Sequence, residues 1–408
     1  MDELEKIRDE INATDDQVLR ALAARRELAR RIIQAKALEE LPLRDERREE
    51  DLLARLIQKG REMGLDAHLV TRVFHEIIDD SVRFQQIFLL KRSNDADEKL
   101  RRVAYQGVDG AFSHLAAQKF FSRSLDLMTF IGHPSFSDAV EAVEGGAFDF
   151  AFLPIENTTA GSIHEVYDLL SRTSLSIVGE EVFRVEHCLL GVKDVPLSSL
   201  RRILSHWQAL AQCRKFLFSL PHCQGAEFED TALAARKVKE DQDPTQAAIA
   251  SEDAARRYGL KILKRDLADQ KENFTRFLVI AREPVKVDLR IPAKTSLVLA
   301  VAHEEGALLG ARGIFHKHKI NLTKLESRPM LGSPFQYLFY LDFEGNRQSE
   351  EVRAALEELR KRTSFLKILG TYAIEWRGRT APSTQAIVPP RPNAASTEAG
   401  PSGPPAEP

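Results

Sequence analysis

Pro154-Ile155-Glu156-Asn157-Thr158-Thr159-Ala160-Gly161-Ser162-Ile163 separates two segments of opposite character. Before it, Phe148–Leu153 is an apolar run that reads as a buried strand. After it, His164–Leu170 reads as a helix. A polar loop between a buried strand and a helix N-terminus is where an α/β sheet holds its ligand. This one carries a carboxylate, an amide and three hydroxyls, so it can both donate and accept hydrogen bonds. The plainer reading is a strand–turn–helix connection capped by Thr159 or Ser162. The loop alone does not choose between the two.

Outward from it, strand and helix patterns alternate. Upstream, Val103–Gln106 reads as a strand, GVDGAFS (107–113) as a loop, Leu127–Ile131 as a strand and Ser135–Glu144 as a helix. Downstream, Leu175–Arg184 and His187–Val192 carry the chain to a second lobe, and NFTRFLVIA (273–281) returns as a strand. The rhythm predicts parallel sheets with helices on their faces. Two lobes joined by repeated crossings form a hinged clamp around a small ligand. GVDG is not a dinucleotide fingerprint. The three cysteines, with His187, His206 and His222, lack metal-ligand spacing. No metal or other cofactor is expected.

The flanks differ in kind. Residues 1–92 read as three helices, the first running unbroken from Asp2 to about Leu38 with apolar residues at helical spacing. The second runs from Asp45 to Lys59, ended by Gly60 and Gly64, and the third from the N-cap Asp66 to about Lys91. A helix of about 50 Å is too long for a compact small unit and predicts an interlocked assembly. Arg25 and Lys36 lie about 20° apart on one helix and about 16 Å apart along it, so they can straddle a small dianion. Arg8 lies about 42 Å from Lys36 and can reach the same ligand only from a second subunit. Asp45 and Glu49 share a face, as do Ser81 and Gln85. The plainer reading of all these is solvated helix faces. Residues 294–377 follow a βαββαβ order, the ferredoxin-like α+β arrangement. Residues 378–408 hold eight of the eighteen prolines and little apolar content, so the tail is expected to be disordered.

A net charge of −3 and the absence of a dense Lys/Arg block disfavour nucleic acid. No 18-residue apolar window exists, so no membrane span is expected. The start, MDELEKIRDE, has no apolar signal-peptide core. An odd count of three cysteines without CxxC spacing fits reduced thiols in a cytoplasmic protein.

Three resemblances sharpen these readings. IRDEINATDDQVLRALAARRELARRIIQAKA, PLRDERREEDLL and IIDDSVRFQQ resemble the intertwined all-α chorismate mutase domain fused to bacterial prephenate dehydratases. The resemblance implies that Arg25 and Lys36 bind the carboxylate and ether side of chorismate, with Arg8 arriving from the partner subunit. It further implies that Asp45 and Glu49 hold the hydroxyl end, Ser81 a carboxylate and Gln85 the ether oxygen, with Arg48 nearby. The rearrangement to prephenate needs no proton transfer, only a held conformer and donors at the developing negative charge. Gln85 needs no protonation, so mutase activity should persist at neutral and higher pH.

YQGVDGAFSHLAA, PIENTTAGSIHEVYDLL, SHWQALAQC, EDTALAA and NFTRF resemble the prephenate dehydratase domain over residues 101–283. Trp207 departs from the Pro found there in many members. The resemblance makes Thr275 essential and places Glu156, Asn157, Thr158, Ser162, Gln212 and Arg276 at the site, Arg276 facing a substrate carboxylate. Two proton donors stay open: Thr275 itself, or Glu156 kept protonated in a dry pocket.

Gly306-Ala307-Leu308 and Glu326-Ser327-Arg328-Pro329 resemble the two phenylalanine-site motifs of ACT regulatory domains, although Glu305 replaces the usual Pro. Together they imply a homodimer or larger homo-oligomer making phenylpyruvate from chorismate by way of prephenate, under feedback from L-phenylalanine. Rival readings are a dehydratase whose mutase domain only dimerises, and a non-catalytic amino-acid sensor.

Overall fold

The computed structural model describes residues 3–39, 45–93, 99–302, 304–330, 332–333 and 336–374. The tail 378–408 and the Lys36 side chain lie outside the described set. The chain opens with three helices, α1 (Glu3–Glu39), α2 (Glu46–Glu62) and α3 (Ala67–Ser93). Gly60 does not end α2. A Cβ there would fall 2.6 Å from Val70 Cγ2, so this glycine lets α2 lie against α3, and the chain reverses at Gly64 with φ +79°. Asp66 caps α3 by accepting the Leu69 N–H at 2.9 Å. Along α1, Leu4, Ile7, Ile11, Val18 and Leu28 are 49–53 % exposed. Among the described residues of one chain, an apolar stripe of that length is left without a cover.

The first α/β lobe comprises β1 (Arg101–Gln106), α4 (Phe112–Phe120), β2 (Met128–His133), α5 (Phe136–Glu144), β3 (Phe150–Asn157), β4 (Gly161–Ser162), α6 (His164–Arg172) and β5 (Ser176–Arg184). The second comprises β6 (Cys188–Gly191), β7 (Arg202–Ser205), α7 (Trp207–Gln212), α8 (Arg214–Phe218), β8 (Gln224–Glu227), α9 (Thr231–Asp241), β9 (Gln246–Ala250), α10 (Glu252–Tyr258) and β10 (Lys261–Lys264). Strand β11 (Phe274–Ala281) then returns to the first lobe. The sheets run β2-β1-β3-β11-β5, with β4 on β3, and β10-β6-β9-β7-β8.

Both sheets are mixed rather than parallel. β1 runs parallel to β2 and β3, whereas β11 is antiparallel to both β3 and β5. A helical crossover within a lobe gives parallel neighbours, but a strand re-entering from the other lobe is free to run the opposite way. The expected loop at 154–163 is also different in kind. Strand β3 continues through Glu156 and Asn157, turns at Thr158–Ala160, and pairs back through β4.

A register shift in the β3–β11 ladder decides the direction of the side chains. Thr275 opposes Asn157, Arg276 opposes Glu156, and Phe277 opposes Pro154, skipping Ile155. Two β3 residues face one on β11, which re-aims the strand's end. Pro154 and Asn157 thereby share one face, while Ile155 and Glu156 turn to the other.

The C-terminal unit is β12 (Ala293–Ala300), α11 (Ala307–Lys317), β13 (Leu322–Pro329), β14 (Tyr337–Glu344), α12 (Glu350–Arg360) and β15 (Phe365–Ala373). Its antiparallel sheet runs β13-β14-β12-β15. It packs on the first lobe through one continuous core that joins Ile155, Val166, Ile177 and Leu278 to Val298, Tyr340, Leu369 and Tyr372. A Cβ at Gly370 would lie 2.1 Å from the Ile177 carbonyl oxygen, so β15 and β5 approach backbone to backbone.

Candidate active site

A cavity of about 440 Å³ lies between the lobes, and Thr275, Asn157, Gln212 and Phe277 line it. Asn157 is its hub. Its Oδ1 accepts the Thr159 and Ala160 backbone N–H groups, each at 2.9 Å, and the Thr159 hydroxyl at 2.7 Å. Oδ1 being the acceptor, Nδ2 is the donor, and it lies 2.9 Å from Thr275 Oγ1 and 2.8 Å from Asn273 Oδ1. Thr275 Oγ1 therefore accepts, and its own hydrogen is free for a ligand. Gln212 reaches in from the second lobe, Nε2 donating to Thr159 Oγ1 at 2.6 Å while Oε1 accepts from Asn273 Nδ2 at 2.9 Å. One amide network thus holds the two lobes across the cleft.

Glu156 and Arg276 are on the opposite face, which corrects their expected place in the pocket. Arg276 bonds Glu156 at 3.1 Å, Glu180 at 2.7 Å, Asp342 at 2.6 Å and the Tyr372 hydroxyl at 3.0 Å. Lys324 pairs with the other Glu156 oxygen. Burial acts to raise the Glu156 pKa, but the Lys324 hydrogen bond and charge and the Arg276 charge outweigh it, leaving the carboxyl below its ordinary value. Burial alone would lower the Arg276 pKa; Asp342, Tyr372, Glu180 and Glu156 raise it instead. Glu156 is thus ionised and turned away, so it is no proton donor to a ligand in the cavity. Thr158 also falls outside the pocket: its Oγ1 donates to the Glu272 carbonyl at 3.0 Å and accepts the Phe274 N–H at 2.9 Å, tying the end of β3 to β11. Ser162 donates to Glu326 on the C-terminal unit at 2.7 Å. Neither Ser162 nor Thr159 caps α6.

Among the described residues no Lys or Arg lines the cavity. The helices α4 and α6 begin at it instead, with their N-cap residues Ala111 and Ile163 making no side-chain cap. The positive dipole ends favour carboxylates there, against the opposing charge of Glu165, Glu229 and Asp230, which also line the cavity. Sequence reasoning weighed His187 and His206 only as metal ligands, yet both line the cavity. Nothing in VEHCLLG or SHWQ marks them as pocket residues. Asn273 belongs to NFTRF and was there to be found.

In the helical unit the structure brings Arg25 and Ser81 together: Arg25 donates to the Ser81 hydroxyl and, at 3.1 Å, to the Ile77 carbonyl. Both line a cavity of about 420 Å³. Gln85, one turn further along α3, is buried and its Oε1 has no partner among the described residues. Asp45 caps α2 by accepting the Arg48 N–H at 3.1 Å, and Glu49 stands one turn on. Arg8 stands exposed near the start of α1, outside this cavity.

In the C-terminal unit, Ala307 and Leu308 line a cavity of about 620 Å³ beside Gly306, the N-cap of α11. Glu326 and Arg328 instead face the first lobe, at Ser162 and at Asp168, the latter a bidentate pair at 2.8 and 3.2 Å. Ser327 and Pro329 alternate with them along β13. Among the described residues, one chain therefore does not bring the two motifs into a single pocket.

A cleft built from hydroxyls and amides, with helix N-termini for carboxylates, belongs to a multidomain enzyme acting on small anions, here with a separate helical site. The family model described as prephenate dehydratase matches residues 103–285, and that described as chorismate mutase type II matches residues 7–86. The bifunctional chorismate mutase/prephenate dehydratase of Escherichia coli (strain K12) is 43% identical over 90% of this chain and 96% of its own. The solved prephenate dehydratase of Arthrobacter aurescens, in complex with L-Phe, is 29% identical with a TM-score of 0.62, covering 67% of this chain and 90% of that one. A solved chain described as a novel type of quorum-quenching acylase is 35% identical with a TM-score of 0.61, covering 67% of this chain and 98% of that one. The chain belongs to the bifunctional chorismate mutase/prephenate dehydratase family.

Proposed function

We propose that the helical unit converts chorismate to prephenate and that the interlobe cavity converts prephenate to phenylpyruvate. The observation that carries the second assignment is Thr275 held in the cavity by Asn157, which Gln212 in turn holds from the second lobe. In the reaction the C4–O bond breaks with its electron pair, and the pair of the carboxylate bond moves into the ring as carbon dioxide leaves. One proton is taken up and water departs. Thr275, hydrogen-bonded by Asn157, donates to the departing oxygen and offsets its developing charge. The N-termini of α4 and α6 receive the two carboxylates. Arg25 and Ser81 hold a carboxylate of chorismate, and Gln85 serves its ether oxygen.

The C-terminal unit is an ACT domain that binds phenylalanine between two copies, since its two motifs do not meet within one. The exposed stripe on α1 pairs with a second α1, so the working form is at least a homodimer, in the cytoplasm where its cysteines stay reduced. Supplying chorismate with and without phenylalanine tests the whole reading. Phenylpyruvate should accumulate, and phenylalanine should suppress it. Thr275→Ser retaining most of the turnover while Thr275→Val loses it supports the hydroxyl's role; near-normal turnover in Thr275→Val removes it.

A further inference from the structure

We infer that His187, a neutral imidazole locked in one tautomer, accepts the hydrogen of the substrate's C4 hydroxyl through Nδ1. It thereby acts as a positioning residue for the leaving group. The inference rests on the dehydratase reading of the cavity.

The tautomer follows from two backbone amides. The Thr159 and Ala160 N–H groups point at Asn157 Oδ1, so that atom is the acceptor end of its amide. The Thr159 hydroxyl also donates to Oδ1, at 2.7 Å, so its oxygen must accept the 2.6 Å bond from Gln212. Gln212 therefore presents Nε2 to Thr159 and Oε1 to the other side. There Oε1 accepts from Asn273 Nδ2 at 2.9 Å and lies 2.8 Å from His187 Nε2. Two acceptors cannot share a hydrogen bond, so His187 Nε2 carries the proton and Nδ1 carries a lone pair.

Nδ1 has no partner among the described residues and is itself closed to solvent, the residue being 2 % exposed, so a substrate hydroxyl reaches it only as the cleft wall beside it shifts. A buried acceptor left unmade is costly, so a ligand that satisfies it is favoured. Burial also lowers the ring's pKa, in keeping with a neutral ring. His187 lines the cavity, its ring edge-on to Phe112 at 5.5 Å.

Prephenate at neutral pH has two carboxylates, a ketone and one hydroxyl. Its only hydrogen-bond donor is the C4 hydroxyl, so that group alone can fill Nδ1. Once the hydrogen points at His187, a lone pair of the same oxygen is turned towards the Thr275 hydroxyl. Phenylpyruvate has lost that hydroxyl and can no longer make the contact, which favours its release.

Two substitutions separate this role from a structural one. His187→Asn keeps an acceptor near the Nδ1 position and gives up the Gln212 contact. His187→Gln keeps a donor near the Nε2 position and gives up the acceptor. We expect kcat/KM for prephenate to fall about tenfold in His187→Gln, the scale of one neutral hydrogen bond, and less in His187→Asn. Equal losses, or a larger loss in His187→Asn, overturn the inference. Folding of the variants is not required for the second test. In the ¹⁵N-labelled wild-type enzyme, Nδ1 should resonate as an unprotonated nitrogen and shift upfield on adding ring-reduced prephenate, which keeps the hydroxyl and cannot aromatise. It should not shift with phenylpyruvate. A protonated Nδ1, or the same shift with both probes, refutes the contact. Turnover of prephenate by the same wild-type sample tests the dehydratase reading separately.

Discussion

Replacing Glu156 by Gln distinguishes a proton donor from an interface anchor. If Glu156 gave the proton to the departing hydroxyl, its loss would cost about 10²–10⁴-fold in kcat. The structure points to a different deficit. Glu156 bridges Lys324 and Arg276 with a side chain 33% exposed. Breaking a fully buried pair costs about 3–5 kcal/mol. With a third of the carboxylate in solvent, and with Arg276 keeping Glu180 and Asp342, about 1–2 kcal/mol is expected. The variant should keep kcat on prephenate within about tenfold and melt earlier. The pH dependence gives an independent reading. Glu156 has a lowered pKa in the folded chain, so its stabilisation is present above the unfolded carboxylate pKa and is lost as pH falls through the lower folded value. Glu156→Gln should flatten that part of the acid melting profile. Phenylpyruvate formation measured beside thermal melting from neutral pH down to about pH 3 tests both effects. A 100-fold loss of kcat with unchanged melting would refute the assignment.

Two further outcomes follow from packing. Gly370→Ala places a methyl against the Ile177 carbonyl, where 2.1 Å is available, and should loosen the C-terminal unit from the first lobe. Limited proteolysis should then cut between β11 and β12, and intact protection comparable with wild type would count against the close approach. Ile11→Asp puts a charge in the exposed stripe of α1 and, without phenylalanine, should shift the proposed dimer towards monomer in light scattering, with loss of mutase turnover but not of prephenate turnover. A dimer of unchanged stability would show that this stripe is not the interface.

Periodicity in the sequence reveals the long helices, the two lobes and the βαββαβ unit, because each is written locally in apolar spacing. Strand direction is not local. β11 lies next to β3 only after the chain has visited the other lobe, so antiparallel pairing there leaves no mark in the βαβ rhythm. The facing of Glu156 is hidden for a similar reason. Alternation counted from Pro154 puts Glu156 in the pocket and Asn157 out; the extra residue at Ile155 reverses them. Thr275, Asn157 and Gln212 were legible through their motifs, whereas His187 depends on a hydrogen-bond chain spanning both lobes.

Thr275 and Arg276 are neighbours on one strand, about 3.3 Å apart along it, with one facing the substrate cavity and the other gripped by Asp342 and Tyr372 of the C-terminal unit. A displacement of the C-terminal unit at Asp342 and Tyr372 has only the thickness of a strand to cross before it meets the substrate cavity. Thermodynamic linkage then applies in both directions. Whatever factor an effector imposes on prephenate binding by shifting that unit, prephenate must impose on the effector.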